Sequence, residues 1–131
     1  MQEDSAPGHL QKFIKDPQML HVLNRKGIKE LFPVQYSTFP HIYSGKDLVA
    51  KDRTGSGKTM AFSLPVITRL REQKAFSREH STKYLIVLPT RFFWKYFREL
   101  ALQVKDEIQS LRLQDADDFT VGAVYGGSSV I

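Results

Sequence analysis

The sequence predicts an α/β domain, a parallel sheet with flanking helices, and three observations carry that expectation. Short apolar runs at 47–50 (DLVA), 84–89 (YLIVLP) and 119–125 (FTVGAVY) have the length and composition of strands. Between them the apolar residues recur at helical spacing, so strands alternate with helices and parallel neighbours need crossover connections. The first run also passes through glycines straight into a helical pattern, because 45–59 reads GKDLVAKDRTGSGKT.

That order of strand, loop and helix is what a phosphate-binding loop requires. Gly55 and Gly57 let the backbone approach an anion, and the N–H groups at the helix start point at it with the helix dipole behind them. Arg53, Thr54 and Ser56 complete the loop, Lys58 is placed to reach β- and γ-phosphates, and the Thr59 hydroxyl is placed to ligate Mg²⁺. The competing reading is a Gly/Ser-rich turn that merely precedes Lys-Thr. The apolar run before it and the helical pattern after it weigh against that. One position departs from the general pattern: Asp52 stands where glycine is usual. Facing the ligand, its carboxylate would repel phosphate by about 1 kcal/mol or more; turned away, it would pair with Arg53 or Lys51.

At 131 residues the chain has the size of one domain with a core. Its 41% hydrophobic and 25% charged content are ordinary for a globular protein. Cysteine is absent, which excludes disulfides and thiolate metal sites. Residues 1–5 (MQEDS) are acidic and do not read as a signal peptide, and no apolar run approaches the roughly 20 residues that cross a bilayer. A net charge of +5 suits a polyanion such as nucleic acid.

Taken in order, residues 1–9 read as a loose lead-in. Asp16 as N-cap and Pro17 at the first helical position open a helix over about 16–26, with Met19, Leu20, Val22 and Leu23 on its apolar face and Gly27 as its stop. Pro33 begins a second helix carrying Tyr36, Phe39, Ile42 and Tyr43, kinked near Pro40. The helix after the loop starts near Lys58 and carries Phe62, Val66, Ile67 and Leu70, with Pro65 as a kink rather than a stop. Residues 71–83 are charged and without a period, a surface loop. A long helix is expected from Arg91 to about Leu113, with Leu100, Val104, Ile108 and Leu111 along one face.

Four blocks in this order resemble the DEAD-box family of RNA helicases, at the start of its first RecA-like domain: Gly27-Ile28 with Leu31-Phe32-Pro33-Val34-Gln35, the loop from Arg53 to Thr59, Leu88-Pro89-Thr90-Arg91, and Tyr125-Gly126-Gly127. The wording LFPVQ and YSGKDLVA is similar to the nucleolar Gu-type members. The resemblance implies a partial RecA-like P-loop domain truncated after about three strands, with a lead-in and Q motif over 1–45 and the segment from P-loop to GG motif over 46–131. It implies ATP and Mg as cofactors, with Lys58 and Thr59 catalytic in the parent enzyme and Gln35 reading adenine. A carboxamide suits that role because it offers a donor and an acceptor together. It further implies contact with RNA backbone by Pro89, Thr90, Arg91, Gly126 and Gly127, independent of RNA sequence, and a nuclear or nucleolar setting. The family places an aromatic for adenine stacking 17 residues before the motif glycine. That position is Leu10, with Phe13 nearby, so either Leu10 takes the place or the lead-in is shifted.

The family text continues PTRELALQV, and residues 92–98 (FFWKYFR) interrupt it. Seven residues turn a helix by about 700° and lengthen it by about 10 Å, so the downstream face keeps its direction while moving along the axis. The insert reads as a local aromatic cluster, an RNA-stacking platform, or retained intronic sequence. The acidic family motif Asp-Glu-Ala-Asp is absent, and Asp115, Asp117 and Asp118 read as a solvated turn. The expectation is therefore a fragment that binds nucleotide weakly and neither hydrolyses ATP nor unwinds RNA alone. A non-catalytic RNA- or protein-binding remnant is one alternative. A small P-loop kinase is the other; it has no use for Gln35 or the PTR block, and its loop would sit nearer the chain start than one with 52 residues before Arg53.

Overall fold

A computed structural model describes residues 6–72, 83–89, 94–113 and 119–126, with the backbone alone for 94–97. Four helices organise it: α1 (Pro17–Arg25), α2 (Pro33–Tyr43), α3 (Lys58–Glu72) and α4 (Trp94–Ser110), preceded by a 3₁₀ turn at Leu10–Lys12. Helix α1 starts where the sequence says it must. The Asp16 carboxylate accepts from the Gln18 N–H at 2.9 Å, and Pro17 follows in the position whose missing N–H costs nothing. It ends in a Schellman turn: Gly27 takes a left-handed φ of 75°, its N–H donates to the Asn24 carbonyl, and the Ile28 N–H donates to Leu23.

The lead-in is not loose from residue 6 onward. The Leu31 N–H donates to the Gly8 carbonyl at 2.7 Å, His9 and Glu30 form an antiparallel bridge, and Lys12 Nζ reaches the Ala6 carbonyl. This clamp carries Leu10 and Ile14 into a core shared with Met19 and Leu23 of α1, Leu31, Phe39 of α2, Met60, Leu64 and Ile67 of α3, and Val104, Ile108 and Leu111 at the end of α4. Two polar ties hold the helix ends together. Arg71 binds the Asp16 carboxylate at 2.6 Å, and Lys26 Nζ donates to Ser110 Oγ at 2.7 Å.

Helices α2 and α3 run through Pro40 and Pro65. The buried face of α3 is rotated from the expected one. Met60, Ala61, Leu64, Ile67, Thr68 and Leu70 are buried, whereas Phe62 and Val66 are only half covered. Small and hydroxylic residues make this possible, since Ser63 and Thr68 return their hydroxyls to the Thr59 and Leu64 carbonyls and then pack as apolar groups. On α4, Val104 and Ile108 are buried but Leu100 lies toward solvent. That helix starts inside the insert, at Trp94; the expected surface loop is undescribed over 73–82, as are Asp115, Asp117 and Asp118.

The three expected strands differ from expectation. No strand occurs among the described residues, where the His9–Glu30 bridge is the one β-pairing. An apolar run supplies the side-chain pattern of a strand but not the neighbour whose backbone must complete the ladder. The pattern itself persists as alternating exposure. Val49, Leu85, Val87 and Val124 stand out at 98, 81, 81 and 74%, while Leu48 and Ile86 beside them are at 42 and 41% and Leu88, Phe119 and Val121 pack against the helical core.

Where α2 and α3 end, the Tyr43 hydroxyl donates to the Glu72 carboxylate. That hydrogen bond, then burial and the Glu72 charge, hold the phenol above its ordinary 10.0 against the opposing pull of Arg69. A raised folded value favours the neutral phenol, so its stabilisation is complete below the unfolded value and is lost as pH rises through the folded one. Urea melts between pH 8 and 11 should therefore show a steeper alkaline loss of stability in the parent than in Tyr43→Phe. Parallel curves would remove this contact from the account of α2–α3 packing.

Candidate functional site

The two helix starts that face each other, those of α2 and α3, build the site. Pro33 fixes the first residue of α2, which puts Gln35 at the third, where a side chain can return to the N-cap backbone. Its Oε1 accepts from the Phe32 N–H at 2.8 Å. Its Nε2 donates to the Gly57 carbonyl at 3.1 Å, 22 residues away. Both ends of the carboxamide are thus fixed within the protein, and Gln35 is 3% exposed. Each end keeps capacity beyond this, since Nε2 has a second hydrogen and Oε1 a second lone pair.

Gly57 is the residue this contact demands. Its φ is 84°, in the left-handed region, and a Cβ there would lie 2.3 Å from Gln35 Nε2 and 3.2 Å from Phe32 Cδ2. Directly after it α3 begins at Lys58 and runs for 15 residues, so its first N–H groups lack partners within the helix. Lys58 Nζ donates to the Asp52 carbonyl at 2.5 Å, closing the loop on itself. The Asp52 carboxylate accepts from the Arg53 N–H at 2.8 Å. It therefore binds the next main-chain amide, a third arrangement beside the two expected from the sequence (facing the ligand, or paired with Arg53 or Lys51), because a carboxylate reaches the following N–H with little loss of freedom. Ser56 Oγ is buried and has no hydrogen-bond partner. A free hydroxyl among helix-start amides, with Lys58 beside them, fits a polyphosphate. Thr59, half-buried, is the next residue and fits the hydroxyl ligand of an accompanying Mg²⁺.

Beside the loop lies a cavity of about 680 Å³ lined by Gly27, Ile28, Glu30, Phe32, Gln35 and Met60, among others. That volume is in the range of small-ligand sites. Neither aromatic-position candidate from the sequence faces it. Leu10 is 4% exposed inside the core, and Phe13 packs against Phe39 with ring centroids 5.3 Å apart. Phe32, which sequence reasoning passed over, is the aromatic of this cavity. The signal was present: phenylalanine occupies an N-cap position, where Ser, Thr, Asp or Asn is usual and a ring can cap nothing.

The RNA-contact candidates are not brought together among the described residues. Pro89 is exposed and Gly126 forms an exposed turn, while Thr90, Arg91 and Gly127 lie outside the described set. From the insert, the Arg98 guanidinium lies 5.4 Å from the centre of the Tyr125 ring.

A family model described as DEAD/DEAH box helicase matches residues 32–130. The chain belongs to the DEAD/DEAH box helicase family. Among curated relatives, nucleolar RNA helicase 2-A of Xenopus laevis is 35% identical over 96% of this chain and 15% of its own length. The ATP-dependent RNA helicase DDX50 of Homo sapiens is 35% identical over 96% of this chain and 16% of its own. The chain thus spans about a sixth or less of the length of these helicases. A crystal structure of a DEAD box protein from the hyperthermophile Methanococcus jannaschii matches with a TM-score of 0.66 at 28% identity, over 93% of this chain and 30% of that one. That likeness is consistent with the α/β class expected from the sequence.

Replacing Gly57 by alanine should destabilise the protein by about 1–3 kcal/mol, through left-handed strain and the collision with Gln35. Chemical denaturation of Gly57→Ala beside Gly55→Ala separates the two causes, because nothing lies within 4 Å of a Cβ at Gly55. Equal losses would mean that the Gln35 contact adds nothing.

Proposed function

We propose that this chain binds Mg–ATP between α2 and α3 and RNA backbone at its PTR and GG segments, as part of an ATP-dependent RNA helicase. The observation that carries the reading is the Gln35–Gly57 hydrogen bond, which joins a base-reading carboxamide to a phosphate loop. In this reading the main chain of Arg53, Thr54, Gly55, Ser56 and Gly57 surrounds the phosphates, and Lys58 exchanges the Asp52 carbonyl for the β- and γ-oxygens. Thr59 would hold a Mg²⁺, which would supply positive charge to offset that of the phosphates. Gln35 presents its second hydrogen and lone pair to the adenine edge. Contact by Pro89, Thr90, Arg91, Gly126 and Gly127 would position the RNA backbone without reading its bases. A net charge of +5 supports an anionic partner, and relatives named as nucleolar RNA helicases support a nucleolar setting. We propose further that these 131 residues bind ATP without turning it over, because they contain no Asp-Glu-Ala-Asp motif to help hold Mg²⁺ and position an attacking water.

Isothermal titration with Mg–ATP tests the nucleotide site. The parent should bind, and Lys58→Ala should lose most of that affinity; no binding by either protein, or equal binding by both, would overturn the reading. RNA affinity measured across a salt series should fall linearly on logarithmic axes, irrespective of RNA sequence.

Asp52→Ala should tighten ATP binding by about five-fold, the equivalent of about 1 kcal/mol, by removing a negative charge and releasing the Arg53 amide. Unchanged affinity in the same titration would show that this amide stays out of the phosphate site.

A further inference from the structure

We infer that Phe32 is the stacking platform for the nucleobase, a role that rests on the proposed ATP site and adds a residue to it. Phe32 follows Leu31, buried at 4%, and lies two residues before Val34 at 8%, yet is itself 58% exposed. Its ring lines the 680 Å³ cavity, and its Cδ2 lies 3.2 Å from where a Gly57 Cβ would be, so the ring abuts the phosphate loop. The main chain at Phe32 is held as well, because its N–H is bound by Gln35 Oε1. An aromatic ring and a carboxamide thus border one space, and both touch Gly57 of the loop behind it. Met60 forms another wall, a polarizable thioether suited to a flat π-system.

The alternatives within reach do not offer such a face. Leu10 lies in the core and Phe13 packs against it, and His9, whose main chain pairs with Glu30, is more covered than Phe32. The occupant is the base of the same nucleotide whose phosphates meet Lys58. A base stacked on Phe32 lies beside Gln35, which can then read its edge. Stacking itself discriminates little among bases, so Phe32 contributes affinity and Gln35 selectivity.

The experiment compares Mg–ATP with inorganic triphosphate on the full chain by calorimetry. Phe32→Ala and Phe32→Leu should each weaken ATP binding about ten-fold or more while leaving triphosphate affinity unchanged. Phe32→Trp should retain ATP binding, with indole fluorescence quenched by ATP and not by triphosphate. Lys58→Ala should weaken both ligands. Unaltered ATP affinity in Phe32→Leu, or a loss that falls equally on triphosphate, would overturn the inference while the Lys58 result left the site standing. An equivalent loss in His9→Ala with Phe32→Ala silent would move the platform to His9. If the parent binds neither ligand, the ATP site and the platform fall together.

Discussion

A single side chain joins the two parts of this site. Gln35 donates to the Gly57 carbonyl and accepts from the Phe32 amide, so one carboxamide fixes the start of α2 against the turn that opens α3. The Gly57 carbonyl also accepts the Ala61 N–H, the first hydrogen bond of α3. Loop shape and helix start therefore share an acceptor with Gln35. Because Gln35 is nearly fully buried, losing either partner would leave an amide group without compensation, a cost of about 1–3 kcal/mol. In the proposed nucleotide site such a contact would couple the cavity to the loop over one hydrogen bond.

Loop closure follows from the same arrangement. Lys58 rests on the Asp52 carbonyl and the Asp52 carboxylate rests on the Arg53 amide, so a cation and an amide suited to phosphate both have internal partners. In the proposed nucleotide site, phosphate would have to displace them. Each exchange replaces a neutral or short-range partner by a multiply charged one, which favours the anion. Ser56 Oγ, with no partner to give up, is the group that gains most directly.

How much was legible in the sequence depended on the range of the interactions. Helix starts and the first stop were readable because their causes are local: Asp16 with Pro17, Pro33, and Gly27 in its left-handed turn. The glycine-bearing loop that opens α3, with left-handed Gly55 and Gly57, was readable for the same reason. The burial of Leu10 was not, since it depends on residue 8 pairing with residue 31 across the intervening α1. Nor was the face of α3, where Ser63 and Thr68 pass as apolar once their hydroxyls are bonded to their own helix. Strand pairing is the most non-local feature. The segments at 84–88 and 119–125 keep the alternation of a sheet surface, yet alternation cannot name the neighbour that completes a ladder. Phe32 was missed differently: it was treated as part of a motif's wording, when its unsuitability as a cap already asked what else the ring does.

The most direct measurement is a calorimetric titration of inorganic triphosphate into the parent and into Gln35→Ala. Triphosphate has no base, so a glutamine that only reads adenine would leave its affinity untouched. If Gln35 also holds the loop through Gly57, triphosphate should bind the variant more weakly, by about ten-fold for the loss of one buried hydrogen bond. Equal affinity for triphosphate in the two proteins would contradict the coupling on which this description of the site depends.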